Sequence, residues 1–213
     1  MMSFTAHICR GRSPGLRGDC EAAIRFQQHA LQAANTSGLA YPQVAALCAL
    51  GTIHLDISVA EFAEQTADLY EQALRLMEEP LGKVAAGAIW AEMGFSHLAL
   101  GDLDRAGELF RQGLSVSTAV KFLARPFLLV GSAIVDLSRG NLEDASLSMV
   151  EAREFVEERE MKNIYPLVSF ADANISAASG KPEEALRHFE VGEELAMKAQ
   201  MRPSIWQLHL GAV

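Results

Sequence analysis

Apolar residues follow one another at intervals of three and four along most of this chain, which is the spacing that lines one face of an α-helix. The pattern comes in pairs, in which a nearly uniformly apolar segment is followed by a short turn and then by an amphipathic segment. The turn recurs as Gly-Asp-Leu-Asp-Arg-Ala from Gly101, Gly-Asn-Leu-Glu-Asp-Ala from Gly140 and Gly-Lys-Pro-Glu-Glu-Ala from Gly180, and a weaker copy begins at Gly18. Since the unit returns about every forty residues, the sequence predicts an all-α fold, an α-α superhelix of about four to five helix–turn–helix units.

The predicted helices follow from the two halves of the unit. The uniformly apolar halves predict a first helix in each unit, at residues 41–55, 84–100, 126–137 and 165–178. The amphipathic halves predict the second helices. Glycine suits the left-handed conformation that ends a helix, and the acidic residues after each glycine suit the first turn of the next one. At residues 56–60 the glycine is missing and about three residues are extra, which predicts a longer turn.

The two ends of the sequence depart from this pattern. Residues 10–15, Arg-Gly-Arg-Ser-Pro-Gly, do not favour a helix, so residues 1–17 are predicted to be irregular and the array to open on half a unit. The repeat domain is predicted at 18–213, with units at about 18–38, 41–80, 83–120, 123–160 and 163–200 and a partial unit at 203–213. Because a solenoid needs polar end helices, we expect either a fragment of a longer array or self-association through an exposed helix bearing Ile205, Trp206, Leu208 and Leu210.

The third unit resembles the tetratricopeptide repeat, whose pattern is Trp-x2-Leu-Gly-x2-Tyr followed by Ala, Phe, Ala and Pro. The matching residues are Trp90, Met93, Gly94, His97, Ala106, Phe110 and Gly113, with Thr118 in the place of the closing proline. The fourth and fifth units keep the second-helix half of the pattern. The long period also resembles the repeats of large bacterial signalling proteins, namely transcription activators similar to the maltose-regulon activator and multidomain nucleotide cyclases. In those groups the repeats sense a ligand or partner and regulate a domain elsewhere in the polypeptide.

The resemblance implies a groove on the concave side of the superhelix, lined by the first helices. Its register places these residues there: Phe95, Leu98, Phe127, Val130, Ile134, Leu137, Leu167 and Phe170. The lining is apolar and lacks the basic and amide side chains with which related repeats hold an acidic peptide end. It would therefore take an apolar helix or extended segment. The alternative is that tight curvature or a neighbouring segment already covers these residues.

Composition narrows the classes of partner. The net charge is −9, which argues against a nucleic-acid backbone or an anionic membrane surface as the main ligand. The three cysteines are irregularly spaced and indicate a reducing cytoplasm rather than a disulfide framework. No apolar run reaches the length of about eighteen residues that predicts a membrane span.

Residues for chemistry are sparse in the sequence. No two of the six histidines have metal-ligand spacing, and neither a Gly-x-Ser-x-Gly elbow nor a His-Glu-x-x-His pair occurs. His54 and His97 fall at the consensus tyrosine position, where they are expected to pack between helices. We therefore expect a protein-interaction module or scaffold that is not an enzyme, with no cofactor and no metal. The alternatives are the effector-sensing region of a larger transcription activator or nucleotide cyclase, and a structural homo-oligomer built through the repeat ends.

Overall fold

The protein is helical throughout the part that the structure describes. The structure is a computed structural model and describes residues 17–57, 59–76, 82–117 and 123–198. Within these ranges it has nine helices and no strand: α1 (Arg17–Ser37), α2 (Ala40–Ile57), α3 (Val59–Arg75), α4 (Gly82–Ala99), α5 (Leu103–Ser117), α6 (Arg125–Ser138), α7 (Leu142–Glu158), α8 (Tyr165–Ala178) and α9 (Pro182–Lys198). The predicted all-α class is confirmed, and the predicted first helices correspond to α2, α4, α6 and α8.

The helices pack as a solenoid of pairs. The first helices are α2, α4, α6 and α8, and each packs against the second helix of its own unit, which is α3, α5, α7 or α9. Each first helix also contacts the second helix of the unit before it, and successive first helices contact one another. A first helix is therefore covered on several sides, which explains why its sequence is apolar nearly all round.

The three glycine-led turns have the same geometry. Gly101, Gly140 and Gly180 have φ values of +76°, +81° and +72°, the left-handed region that glycine adopts without a steric penalty. The amide of the next residue then donates to a carbonyl five residues earlier, as from Asp102 to His97 over 2.9 Å. This bond closes the first helix and directs the chain into the second. Gly18 does not repeat the turn, because α1 already begins at Arg17.

The predicted longer turn at residues 56–60 is wrong. Helix α2 continues to Ile57 and α3 begins at Val59, so the extra residues lengthen the helices. This stretch contains neither glycine nor proline, and continuing a helix satisfies the backbone hydrogen bonds that a longer loop would leave open.

Close contacts between a glycine and an aromatic ring join the central helices. A Cβ atom on Gly94 of α4 would lie 2.4 Å from the Phe110 ring of α5, and one on Gly131 of α6 would lie 2.3 Å from the same ring. Gly51 of α2 opposes the ring of Tyr70 of α3 in the same way, at 2.6 Å. Both rings are fully buried. The close approach lets one ring hold a second helix to the first helices beside it.

Candidate partner-binding surface

Half of the predicted groove residues lie in the core. Val130, Ile134 and Leu167 are at most 5% exposed and belong to the buried cluster around Met149 and Val156 of α7. Phe170 of α8 is also fully buried and meets the ring of Phe189, with the centroids 5.5 Å apart. These four side chains offer no surface to a partner. The reason is that α6 and α8 each pack between two second helices and against a neighbouring first helix.

The other four predicted residues remain half-buried on two adjacent first helices. Phe95 and Leu98 of α4 and Phe127 of α6 border the two buried clusters that meet at α6, and Leu137 of α6 borders the larger cluster. The Phe95 ring packs edge-on against Phe110, with the centroids 5.2 Å apart. We call Phe95, Leu98, Phe127 and Leu137 the groove patch. These residues are held from below by the core and keep part of their apolar surface in solvent.

A polar link that the sequence reasoning did not identify joins units two and three. The Thr52 hydroxyl of α2 lies 3.1 Å from a carboxylate oxygen of Glu92 of α4 and 3.4 Å from the Tyr70 hydroxyl of α3. Burial, and then the charge of Glu92, raise the pKa of the neighbouring Cys48 thiol to about 12. That thiol therefore stays protonated and is a poor nucleophile. Thr52 and Glu92 are forty residues apart, which is one repeat. A pair of polar residues at this spacing, in two otherwise apolar helices, is the signal in the sequence that would have identified the link.

A second polar link joins units four and five. The guanidinium of Arg153 on α7 donates to the carboxylate of Asp172 on α8, which is only 7% exposed. Burial raises the pKa of Asp172, while the charges of Arg153 and of His188 on α9 act in the opposite direction. The ion pair connects the second helix of unit four to the first helix of unit five.

The two histidines at the consensus tyrosine position lie on the first helices α2 and α4. His54 and His97 are both half-buried, and burial lowers the pKa of His54. His97 Nδ1 lies 3.4 Å from a carboxylate oxygen of Asp102, in the turn that follows its helix. Among the described residues, no three His, Cys, Asp or Glu side chains are placed to hold a metal ion.

Some predictions fall outside the described residues. The self-association residues Ile205, Trp206, Leu208 and Leu210 are among them. In the described part of the chain, no helix has both the length and the apolarity needed to cross a bilayer.

Comparison with known proteins identifies the fold. No family model matches the chain, and no curated protein matches it. Among solved structures it is similar to the crystal structure of MamA protein, with a TM-score of 0.51 and 17% sequence identity over 91% of this chain and 93% of that one. At this identity the likeness concerns the fold alone. Together with the paired helices and repeated glycine turns, it shows that the chain has a tetratricopeptide-like helical-repeat fold.

Proposed function

We propose that the protein is a protein–protein interaction module and that the groove patch is its binding surface. The observation that carries this proposal is the placement of Phe95, Leu98, Phe127 and Leu137, half-buried on two neighbouring first helices of a helical-repeat array. Solenoids use the concave surface that such helices line to bind other proteins. A rigid scaffold beneath partly exposed aromatic rings is also typical of binding hot spots.

The chemistry of the groove patch favours an apolar segment as the partner. All four side chains are hydrocarbon, and two of them are phenylalanines with large flat faces. An amphipathic helix, or an extended segment with apolar side chains, would replace the water on these faces. The buried residues between them, such as Val130 and Ile134, support the surface from beneath.

Site-specific photo-crosslinking tests the location of the site. A photoreactive phenylalanine analogue at Leu98 or Leu137 should capture a partner in cells that express the protein. The matched control is the same analogue at Leu147, an apolar residue that is 63% exposed on the outer helix α7. Equal capture from Leu147 would place the binding surface elsewhere.

A charge introduced into the groove patch tests whether it supplies affinity. For a partner identified by crosslinking, Phe127→Asp should weaken binding at least about tenfold, which corresponds to about 1.4 kcal/mol. Leu147→Asp should leave affinity unchanged. Because Phe127 also touches the core, the melting temperature must be measured, and the milder Leu137→Asn should give a smaller loss in the same direction. Unchanged binding by a folded Phe127→Asp protein would refute the proposal.

A further inference from the structure

Phe26 on α1 is exposed where the same position in another unit is buried. Aligning the copy at Gly18 with the turn at Gly101 pairs Phe26 with Leu109 of α5. Phe26 is 65% exposed, whereas Leu109 is 1% exposed. The alignment is in register, because the neighbouring Ala23 and Gln27 are buried like their counterparts, Ala106 and Phe110.

The surroundings of Leu109 show which helices cover this position in unit three. Leu109 lies in a buried cluster with Ile89 and Met93 of α4, the first helix of its own unit. Leu47 and Tyr70 of the preceding unit complete that cluster. The face of α1 that bears Phe26 is therefore the face on which a first helix packs in unit three. In unit three the position is covered by apolar side chains, whereas on α1 most of the Phe26 side chain is exposed.

Residues 203–213 have the sequence of a first helix that fits this face. Ile205-Trp206 repeats Ile89-Trp90, and these pairs contain both tryptophans of the chain. In this alignment Ile205 takes the place of Ile89, which shares the cluster of Leu109. The segment contains no Asp, Glu, Lys or Arg, so packing it on α1 brings no charge of its own into the contact.

We propose that residues 203–213 of a second copy of this chain pack on the Phe26 face of α1 and join the two arrays head to tail. The contact uses different surfaces on the two copies, so it is heterologous, and each added copy presents a new Phe26 face. The assembly therefore grows with concentration and does not stop at a dimer. With a net charge of −9 on each copy, added salt favours assembly by screening the repulsion between copies. The proposal is independent of the groove patch.

Disulfide trapping between two tagged copies tests the contact directly. One copy carries Phe26→Cys and the other Ile205→Cys, both in a background in which Cys9, Cys20 and Cys48 are replaced by serine. Mixing them under mild oxidation should give a mixed disulfide at least about tenfold faster than mixing Ile205→Cys with Leu186→Cys. Leu186 is the matched control because it is 57% exposed, on α9. Equal rates would overturn the proposal.

Sedimentation velocity provides the second readout. The wild-type mass should rise above 23.1 kDa with concentration, and more steeply at higher salt. Phe26→Asp should remove the rise, and Leu186→Asp should leave it unchanged; since both side chains are exposed, circular dichroism should show intact helices in both variants. A mass of 23.1 kDa at every concentration, or an equal rise in Phe26→Asp, would refute the head-to-tail contact.

Discussion

The third unit (α4 and α5) and the fifth unit (α8 and α9) have the same turn but join their helices differently. In the third unit the second-helix ring, Phe110, is fully buried and lies against Gly94 of the first helix. In the fifth unit the equivalent ring, Phe189, is only half-buried, and the fully buried ring is Phe170 of the first helix. That ring lies against Gly192 of the second helix, so glycine and ring have exchanged helices.

One residue on the first helix differs between the two units at the point where the ring packs. The fifth-unit residue aligned with Gly94 is Ala173, so the glycine against which Phe110 packs in the third unit has no counterpart there. Phe189 sits less deeply. The first helix of the fifth unit also has a buried polar contact, between Asp172 and Arg153 of unit four. The comparison teaches that the glycine turn fixes the order of the helices, while the residues opposite each other decide how the two helices are held together.

The largest expected effect comes from removing the two equivalent rings. Phe110→Ala should lower the free energy of unfolding by about 3–5 kcal/mol, because a fully buried ring between two helices leaves a cavity. Phe189→Ala should lower the free energy of unfolding by about half as much, since part of that ring is already exposed to solvent. Urea denaturation followed by circular dichroism measures both. Equal losses would mean that the two units are held together alike.

A smaller effect is expected from filling the glycine sites. Gly94→Ala should destabilise the protein by about 1–3 kcal/mol, because Phe110 is also confined by Gly131 and has nowhere to shift. At Gly192 the nearest ring atom, on Phe170, would be 3.1 Å from the new Cβ atom. There the higher helix propensity of alanine, worth up to about 1 kcal/mol, should offset the tighter contact.

The same denaturation experiment supplies the control for the glycine sites. Adding Phe110→Leu to Gly94→Ala should recover part of the lost stability, because the smaller side chain relieves the overlap. A Gly94→Ala protein that is more stable than the wild type would contradict the packing argument.

The smallest expected effect is the pH dependence at Asp172. The pKa of Asp172 in the folded protein is raised above the usual value of 3.8. In the pH range just above 3.8, the Asp172 carboxyl group therefore keeps its proton in the folded state but has lost it in the unfolded state. The contribution of Asp172 to stability is therefore complete at low pH and declines as the pH rises through its folded-state pKa. Asp172→Asn should be at least as stable as the wild type at pH 7, and its advantage should shrink as the pH falls to about 4.

Melting curves from pH 4 to pH 7 for the wild type and Asp172→Asn provide this measurement. If the asparagine variant is instead less stable at neutral pH, and increasingly so as the pH rises, the ion pair with Arg153 outweighs the effect of burial. Units four and five would then be held to each other by charge more strongly than the raised pKa indicates.

The sequence predicted the helices well where local signals agree. Glycines 101, 140 and 180 combine a left-handed turn residue with an acidic first turn, and the helices end and begin around them as predicted. The prediction failed at residues 56–60, where the missing glycine suggested a loop although nothing in the segment interrupts a helix. Glycine is a positive signal for a turn, but its absence does not identify a loop.

The exposure of the predicted groove residues was predicted less well than the fold. The register placed all four residues on first helices, yet Val130 and Phe170 are buried while Phe95 and Phe127 are half-buried. All four are large apolar residues on a first helix, so hydrophobicity does not separate a core residue from a groove residue. Their exposure depends on how closely the neighbouring helices approach.

The sequence by itself determined the class of fold, the repeat and its turns, because helical spacing and a left-handed glycine act within a few residues of the chain. Only the tertiary structure decided which apolar side chains remain accessible, that Phe26 is exposed where Leu109 is buried, and that Asp172 has its partner on α7. These outcomes depend on contacts between residues far apart in the sequence, and on the space that each helix leaves for the next.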